Sequence, residues 1–121
     1  MSLEAKIAGK AKELVAACIE SNKEHPKETA YRALCESFPI LLRTCGLANT
    51  LGYLDAKSGE NGDDEYATLR AHLRQQLAQL GFSADPGGLA TADYMLYSRL
   101  ALRIAMWHKR LAQALLRKKD E

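Results

Sequence analysis

The sequence predicts an all-α protein, a compact single-domain bundle of about five or six helices, and three observations support this prediction. Residues that favour helix, above all alanine, leucine, glutamate, lysine and arginine, dominate the composition, whereas valine and isoleucine are scarce. No segment alternates apolar and polar residues over the length of a strand. A length of 121 residues suffices for one continuous core but not for two.

The first two helices are predicted from the spacing of their apolar residues. One helix is expected over residues 3–23, followed by a turn that Asn22 and Pro26 mark. Its apolar stripe comprises Ile7, Ala11, Leu14, Val15, Cys18 and Ile19. A second helix begins near Pro26, because proline is tolerated in a first turn. Its buried side chains are expected to be Tyr31, Leu34, Cys35 and Phe38.

The stretch SFPILLRTCGLANTLGYL, residues 37–54, places Pro39 and two glycines in the most apolar part of the chain. Pro39 is expected to end or kink the second helix, because proline lacks the amide and crowds the preceding turn. A third helix is then predicted from about Ile40 to Lys57, with a buried side formed by Ile40, Leu47, Leu51 and Leu54. Glycine inside a helix costs roughly 1 kcal/mol relative to alanine. We therefore interpret Gly46 as a point where another helix packs closely.

The fourth helix follows the polar loop KSGENGDD, in which either Asp63 or Asp64 is placed to cap it. Its apolar residues step by three or four positions, and they are Tyr66, Leu69, Leu73, Leu77 and Leu80. Gly81 stands where a left-handed C-cap is expected. The sequence ADPGG then interrupts the chain, and Thr91 is placed to cap a last helical region, unbroken or slightly kinked, over residues 92–118.

The charge of the chain is unevenly distributed. Residues 1–65 carry eight Lys/Arg and eleven Asp/Glu, a net charge of −3, whereas residues 66–119 carry nine Lys/Arg and two Asp, a net charge of +7. Asp120 and Glu121 return −2. This asymmetry indicates one face for a polyanion and another for a basic protein surface.

The last helix carries the strongest candidate for a binding site. Four arginines lie within roughly 40° of one another on a helical wheel and rise about 27 Å along one edge of the helix; they are Arg99, Arg103, Arg110 and Arg117. Such a row suits phosphates, which guanidinium groups bind bidentately. The same pattern is also typical of a solvated helix edge. Arg70 and Arg74 flank the apolar stripe of the fourth helix in the same way.

The sequence holds no pattern typical of an enzyme, so no catalytic residue, metal or cofactor is expected. The three histidines, His25, His72 and His108, have no cysteine or carboxylate partner at the spacing of a local zinc pair. HExxH, phosphate-binding glycine loops and nucleophile elbows are absent. Aromatic residues at helical spacing beside leucines, Trp107 above all, are interpreted as core.

Three cysteines without a CxxC motif favour reduced, buried thiols and a cytoplasmic location. The charged N-terminal sequence is not a secretory signal, and no apolar run is long enough for a membrane span.

The order of elements resembles the α-helical small subunit of the type III-B (Cmr-module) CRISPR–Cas effector complex over nearly the whole chain. Phe38-Pro39 stands where that family usually has Leu-Pro, and Gly46-Leu47 follows with a leucine-rich turn. A Tyr-x-x-Leu helix begins at Tyr66, and the chain closes on the basic segment WHKRLAQAL, residues 107–115.

The resemblance implies a non-catalytic subunit that stacks along the effector and helps to hold the guide RNA and its paired target RNA. Its partners would be these RNAs, the other type III-B subunits and further copies of itself. The residues expected to contact the RNA backbone are Arg43, Arg70, Arg74, Arg99, Arg103, Lys109 and Arg110. Arg43 fits equally well as a paired, structural arginine.

Two alternatives remain open from the sequence. One is a helical protein-interaction module, without intrinsic RNA affinity, whose arginines meet acidic protein surfaces. The other is the small subunit of the type III-A complex, which is also a short basic helical protein. Clustering of Arg70, Arg74, Arg99 and Arg103 on one exposed face would favour RNA binding. Scattering of these arginines, or their pairing with carboxylates of the same chain, would favour the interaction module.

Overall fold

The computed structural model describes residues 2–21, 24–59, 64–82 and 89–118. These residues form five helices and no strand. The helices are α1 (Leu3–Ala16), α2 (Pro26–Cys45), α3 (Leu47–Lys57), α4 (Glu65–Gln79) and α5 (Thr91–Leu115). The all-α prediction is therefore confirmed. None of the helices in the described part of the chain is long and apolar enough to cross a membrane.

Helix α1 begins where Ser2 accepts a hydrogen bond from the amide of Ala5, at 3.1 Å. Four residues of its predicted stripe are buried, and they are Ile7, Ala11, Leu14 and Val15. The helix ends at Ala16, well before the predicted residue 23. The amides of Cys18 and Ile19 bond the carbonyls three residues back, which tightens the turn and rotates the chain away from the stripe. Ile19 is consequently 50% exposed, so its predicted burial was wrong.

Helix α2 continues through Pro39 to Cys45, so of the two predicted effects of this proline the helix end was wrong, as was the predicted start of a third helix at Ile40. Pro39 is buried beside Phe38, and the packing of the segment offsets the single backbone hydrogen bond that proline removes. Because residue 40 therefore belongs to α2, it points away from the buried side that Phe38 and Leu42 share. Ile40 is 59% exposed, contrary to its predicted place in the core.

The break between α2 and α3 lies at Gly46. Its amide closes α2 on the carbonyl of Leu42, and its own carbonyl accepts the first bond of α3 from Thr50, both at 3.1 Å. The φ angle of Gly46 is +80°, a conformation that favours glycine. A Cβ atom at this position would meet nothing within 4 Å, so the predicted close-packing role was wrong. Gly46 is needed for its backbone angle. The buried residues Leu47, Leu51 and Leu54 of α3 agree with the prediction.

Helix α4 matches its prediction at both ends. Asp64 accepts a hydrogen bond from the amide of Ala67 at 2.9 Å, and the alternative cap, Asp63, lies outside the described residues. At the other end Gly81 has a φ angle of +98°, and the amide of Phe82 bonds the carbonyl of Leu77 at 2.9 Å. This is the left-handed C-cap expected from the sequence.

Helix α5 packs against α1, α2 and α4. It runs unbroken, and Ala90 rather than Thr91 occupies its N-cap, without a side-chain hydrogen bond. The helix ends at Leu115, three residues before the predicted end. The predicted break at ADPGG, residues 84–88, lies outside the described residues, as does the predicted turn residue Asn22.

The neighbours of α5 are identified by contacts at both ends of the helices. Arg43 of α2 reaches Met106, and Glu36 reaches Gln113, so α2 runs antiparallel to α5. Glu4 of α1 contacts Trp107, and the carbonyl of Glu20 beyond α1 accepts a bond from Arg117, so α1 runs parallel to α5. The buried face of α5 comprises Tyr97, Leu100, Ala101, Ile104, Ala105, His108 and Ala112. Helix α4 packs against this inner side, and the opposite side of α5 faces solvent.

Candidate nucleic-acid interface

Three arginines stand on the solvent side of α5. Arg99, Arg103 and Arg110 are all exposed, because the apolar residues between them turn inward to the core. At about 1.5 Å per residue the row from Arg99 to Arg110 is about 17 Å long. Each guanidinium stays charged at any physiological pH and offers several N–H donors. The arrangement is therefore suited to binding several phosphate groups of one strand.

On the α1 side, Glu4 and Trp107 border the row. The indole Nε1 of Trp107 donates to Glu4 at 2.9 Å, and Trp107 packs half-buried against the core as predicted. The guanidinium of Arg110 lies 5.4 Å from the centre of the Trp107 ring. This stacking orients Arg110 while leaving its N–H groups available. Arg103 lies 3.9 Å from the other oxygen of Glu4, and both side chains are about half exposed. A surface pair at that distance is worth little.

On the α2 side, Arg43 extends the basic surface. Its Nη2 lies 3.7 Å from the sulfur of Met106 on α5, and the side chain is exposed. Lys109, half-buried, lies on the same flank of α5. We call the surface formed by Arg43, Arg99, Arg103, Lys109 and Arg110 the α5 outer face.

The structure separates Arg70 and Arg74 from the α5 outer face. Helix α4 approaches α5 at His108, whose Nε2 contacts Gln76. His108 is two residues from Arg110, about 200° around the helix. The two α4 arginines therefore lie across the core from the row, and no common groove forms between the two sets. Arg74 is exposed.

Arg70 is only 6% exposed, and its Nε lies 3.2 Å from Asp55 of α3. This ion pair joins α3 to α4. Arg70 is therefore paired with a carboxylate of the same chain. Such pairing favours a structural role for Arg70 over contact with RNA.

Arg117, the fourth arginine of the predicted row, is also engaged within the chain. Because α5 ends at Leu115, the backbone turns and Arg117 binds Glu28 of α2, with Nη2 2.9 Å from Oε1. The backbone amide of Arg117 donates to the same carboxylate at 2.5 Å. Glu28 is 1% exposed, and these hydrogen bonds lower its pKa to about 2. The predicted row of four is thus a row of three.

A polar cluster that was not predicted from the sequence lies inside the bundle. The hydroxyl of Tyr31 lies 2.6 Å from Nδ1 of His72 and 3.0 Å from Nδ1 of His108. Nε2 of His108 contacts Oε1 of Gln76, whose amide nitrogen donates to the carbonyl of Ile7 at 3.2 Å. Burial lowers the pKa of His72 to about 4 and that of His108 to about 3, so both are neutral near pH 7. The available signal was that His72 and Gln76 lie one turn apart among the buried leucines of α4.

The described ranges contain no assembled site for metal binding or thiol chemistry. No three His, Cys, Asp or Glu side chains there are grouped to hold a metal ion. The three cysteines are free, and burial raises the pKa of Cys18 to about 11. Cys35 is buried as predicted, whereas Cys45 is exposed and that prediction was wrong.

The fold and this surface define a small all-helical protein with a basic outer face, and comparison with known proteins identifies its family. The sequence model of the CRISPR-associated Cmr5 family matches residues 3–115. The CRISPR system Cmr subunit Cmr5 of Thermus thermophilus is 30% identical over 90 residues, covering 71% of this chain and 75% of that protein.

A crystal structure supports the same assignment. A CRISPR-associated Cmr5 family protein from Thermus thermophilus superposes with a TM-score of 0.79 at 25% identity, covering 97% of this chain and all of the other. The chain therefore belongs to the Cmr5 family, the small subunit of the type III-B (Cmr) CRISPR complex. The resemblance found in the sequence is confirmed at the level of subtype, which rules out the type III-A alternative.

Proposed function

We propose that this chain is a non-catalytic scaffold subunit that stacks along the type III-B effector and binds the backbone of the guide RNA and target RNA through the α5 outer face. The observation that carries this proposal is the exposed row of Arg99, Arg103 and Arg110, with Arg43 beside it. Binding of this kind is directed at phosphates and independent of sequence, so salt weakens it strongly. The chain would do this in the cytoplasm with the other Cmr subunits as partners.

Stacking is supported by the apolar side chains that the bundle leaves in solvent. Six large apolar side chains are exposed in the described part of the chain, and they are Leu3, Ile19, Ile40, Tyr53, Met95 and Leu96. Apolar groups at the surface suit contacts with other protein subunits. A subunit held by such contacts on several sides keeps one basic face for RNA, in agreement with the division of charge along the sequence.

The alternative, a protein-interaction module without RNA affinity, is favoured by two observations. Arg70 and Arg74 lie apart from Arg99 and Arg103. Arg103 lies 3.9 Å from a carboxylate of the same chain, and closer pairs hold Arg70 and Arg117. These two arginines lie outside the α5 outer face. Only the scaffold function requires Arg99, Arg103 and Arg110 to bind RNA. An RNA-binding experiment on these three arginines therefore distinguishes the two functions.

The test is fluorescence anisotropy with labelled single-stranded and duplex RNA at low and then moderate salt. A triple variant, R99Q/R103Q/R110Q, is compared with a control, K6Q/K12Q/K57Q, which removes the same charge from surfaces outside the α5 outer face. We expect salt-sensitive RNA binding that the first variant loses and the control retains. No binding by the wild-type chain at low salt, or equal loss in both variants, would favour the interaction module. A pull-down with the other Cmr subunits then checks that the first variant still assembles.

A further inference from the structure

A pocket of about 300 Å³ opens between the end of α1, the first turns of α2 and the first turns of α4. Its walls include the side chains of Cys18, Glu20, Lys27, Tyr31, Glu65 and His72. This pocket lies at the end of the bundle where Arg117 docks on Glu28, and none of its walls belongs to the α5 outer face. Its chemistry is therefore independent of the proposed RNA contacts.

The position of each proton in the buried cluster follows from one fixed contact. Gln76 donates from its amide nitrogen to the carbonyl of Ile7, so its oxygen faces Nε2 of His108 and accepts a hydrogen bond from the N–H there. Because the buried His108 is neutral, its Nδ1 has a lone pair. That lone pair accepts a hydrogen bond from the Tyr31 hydroxyl, whose oxygen lies 3.0 Å from Nδ1.

The same reasoning determines the tautomer of His72. The one O–H of the Tyr31 hydroxyl donates its hydrogen bond to His108, so the contact with Nδ1 of His72 at 2.6 Å requires His72 to donate. A neutral His72 with its proton on Nδ1 has a lone pair on Nε2. His72 is only 9% exposed and lines the pocket, and Nδ1 is the ring nitrogen that hydrogen bonds within the described part of the chain. Nε2 is thus an acceptor accessible at the pocket wall.

The other lining residues supply several acceptors and two carboxylates against one lysine ammonium. The thiol of Cys18 donates to the carbonyl of Leu14 at 3.6 Å, and the Tyr31 proton is used within the cluster. One oxygen of Glu20 accepts from the amide of Glu28, which leaves its second oxygen for the pocket. Glu65 adds a second carboxylate, against the cation of Lys27 in the lining and the charge of Lys10. Burial and the charge of Lys10 together lower the pKa of His72. A ligand that matches these walls supplies N–H donors and positive charge.

We propose that this pocket binds an organic cation with N–H donors, a guanidinium or ammonium group, which donates to Nε2 of His72 and pairs with Glu65. His72 selects for a donor because a neutral ring of this tautomer has no proton to offer the pocket. Glu65 selects for charge. The cation comes either from a free small molecule or from an arginine or lysine side chain of a neighbouring subunit.

The test uses nitrogen-detected NMR of histidine side chains, with methylguanidinium as the probe. At neutral pH we expect His72 to have a protonated Nδ1 and an unprotonated Nε2, and His108 the reverse. Titration with methylguanidinium is expected to shift the Nε2 signal of His72 saturably. E65Q is expected to weaken the apparent affinity by about tenfold, as for loss of a charged hydrogen-bond partner. E24Q, which removes a nearby exposed carboxylate outside the pocket, should leave it unchanged.

The absence of a saturable shift, or equal weakening by E65Q and E24Q, would overturn the proposal. The two sources of the cation are distinguished by adding the other Cmr subunits. If assembly alone produces the shift and blocks methylguanidinium, a side chain of a neighbouring subunit fills the pocket. If methylguanidinium still binds in the assembled complex, the ligand is a free cation. These results are independent of RNA binding by the α5 outer face.

Discussion

Whether an arginine in this protein faces solvent or a carboxylate separates the residues proposed to bind RNA from those that join parts of the fold. Arg110 lies on Trp107 with its N–H groups available, whereas Arg117 is held by Glu28 at 2.9 Å. On a helical wheel the two are equivalent, because the wheel assumes that α5 continues. The helix ends at Leu115, and Arg117 then turns inward.

Substitution of Glu28 tests this structural pair. E28Q removes the charge that holds Arg117 and is expected to lower the free energy of unfolding by about 1.5–3 kcal/mol, as for a hydrogen bond to a charged group. The pKa of Glu28 is lowered to about 2 from 4.5, so its contribution is present above pH 4.5 and is lost as the pH falls toward 2. Urea unfolding across this range should show the two proteins converging in stability. An unchanged difference at pH 2 would contradict this assignment, and E13Q, which removes an exposed carboxylate of α1, is the control.

The buried histidines predict a second pH dependence. Their pKa values, about 4 for His72 and about 3 for His108, lie below the ordinary 6.5, so the folded chain binds fewer protons than the unfolded chain at mildly acidic pH. Stability therefore falls as the pH falls below 6.5, by up to about 1.4 kcal/mol per pH unit for each histidine. Urea unfolding at pH 6.5 and pH 5 measures this slope, and H108Q should make it shallower. Equal stability of the wild type at both values would contradict the assigned burial.

At the scale of the element, one glycine sets the boundary between α2 and α3. Gly46 has a φ angle of +80° and open space around it, so any side chain there suffers backbone strain rather than a clash. Gly52 provides the matched control, because it lies within helix α3 and a Cβ atom there would also meet nothing within 4 Å.

The two glycines should respond to alanine in opposite directions. G46A is expected to lower the free energy of unfolding by about 1–3 kcal/mol, because Gly46 combines a φ angle of +80° with a ψ angle of 169°, a backbone conformation almost confined to glycine. G52A is expected to raise it by about 0.5–1 kcal/mol, because alanine favours helix. Thermal and urea unfolding of both variants measure the difference. A stabilised G46A would show that the break between the helices does not need its backbone angle.

Apolar spacing in the sequence was sufficient to predict the helices, because each must bury one stripe of side chains. Leu69, Leu73 and Leu77 illustrate this in α4, where capping residues also marked both ends. Spacing was insufficient at Pro39, since the local cost of proline was outweighed by packing that only the folded chain supplies. Because the second helix was predicted to end or kink at Pro39, Ile40 was assigned to the third helix and to its buried side. It lies in α2 and is exposed.

At the scale of the whole molecule, the bundle distributes its polar chemistry over three places. The α5 outer face carries exposed arginines, the end of the bundle carries the Glu28–Arg117 pair and the pocket, and the interior carries the Tyr31 cluster. The sequence predicted the first of these from helical spacing. It did not predict the other two, because they join residues 32 to 89 positions apart.

The same limit explains why the arginines of α4 and those of α5 do not form one basic surface. Arg70 and Arg99 are both flanking residues of apolar stripes, and spacing within a helix does not show on which side of a neighbour that helix packs. In the fold α4 meets α5 at His108, across the helix from the arginine row. The interface proposed here is therefore narrower than the seven residues first expected, and it is centred on α5.

The salt dependence of RNA affinity tests whether the α5 outer face binds RNA. The slope of log Kd against log salt concentration is measured for the wild type, R99Q/R103Q/R110Q and the control K6Q/K12Q/K57Q, with single-stranded RNA. If the three arginines each bind one phosphate, the triple substitution should reduce the slope by about 2, at roughly 0.7 for each contact with a single strand. The control should keep the wild-type slope. An unchanged slope in R99Q/R103Q/R110Q, or the same reduction in the control, would contradict RNA binding by the α5 outer face.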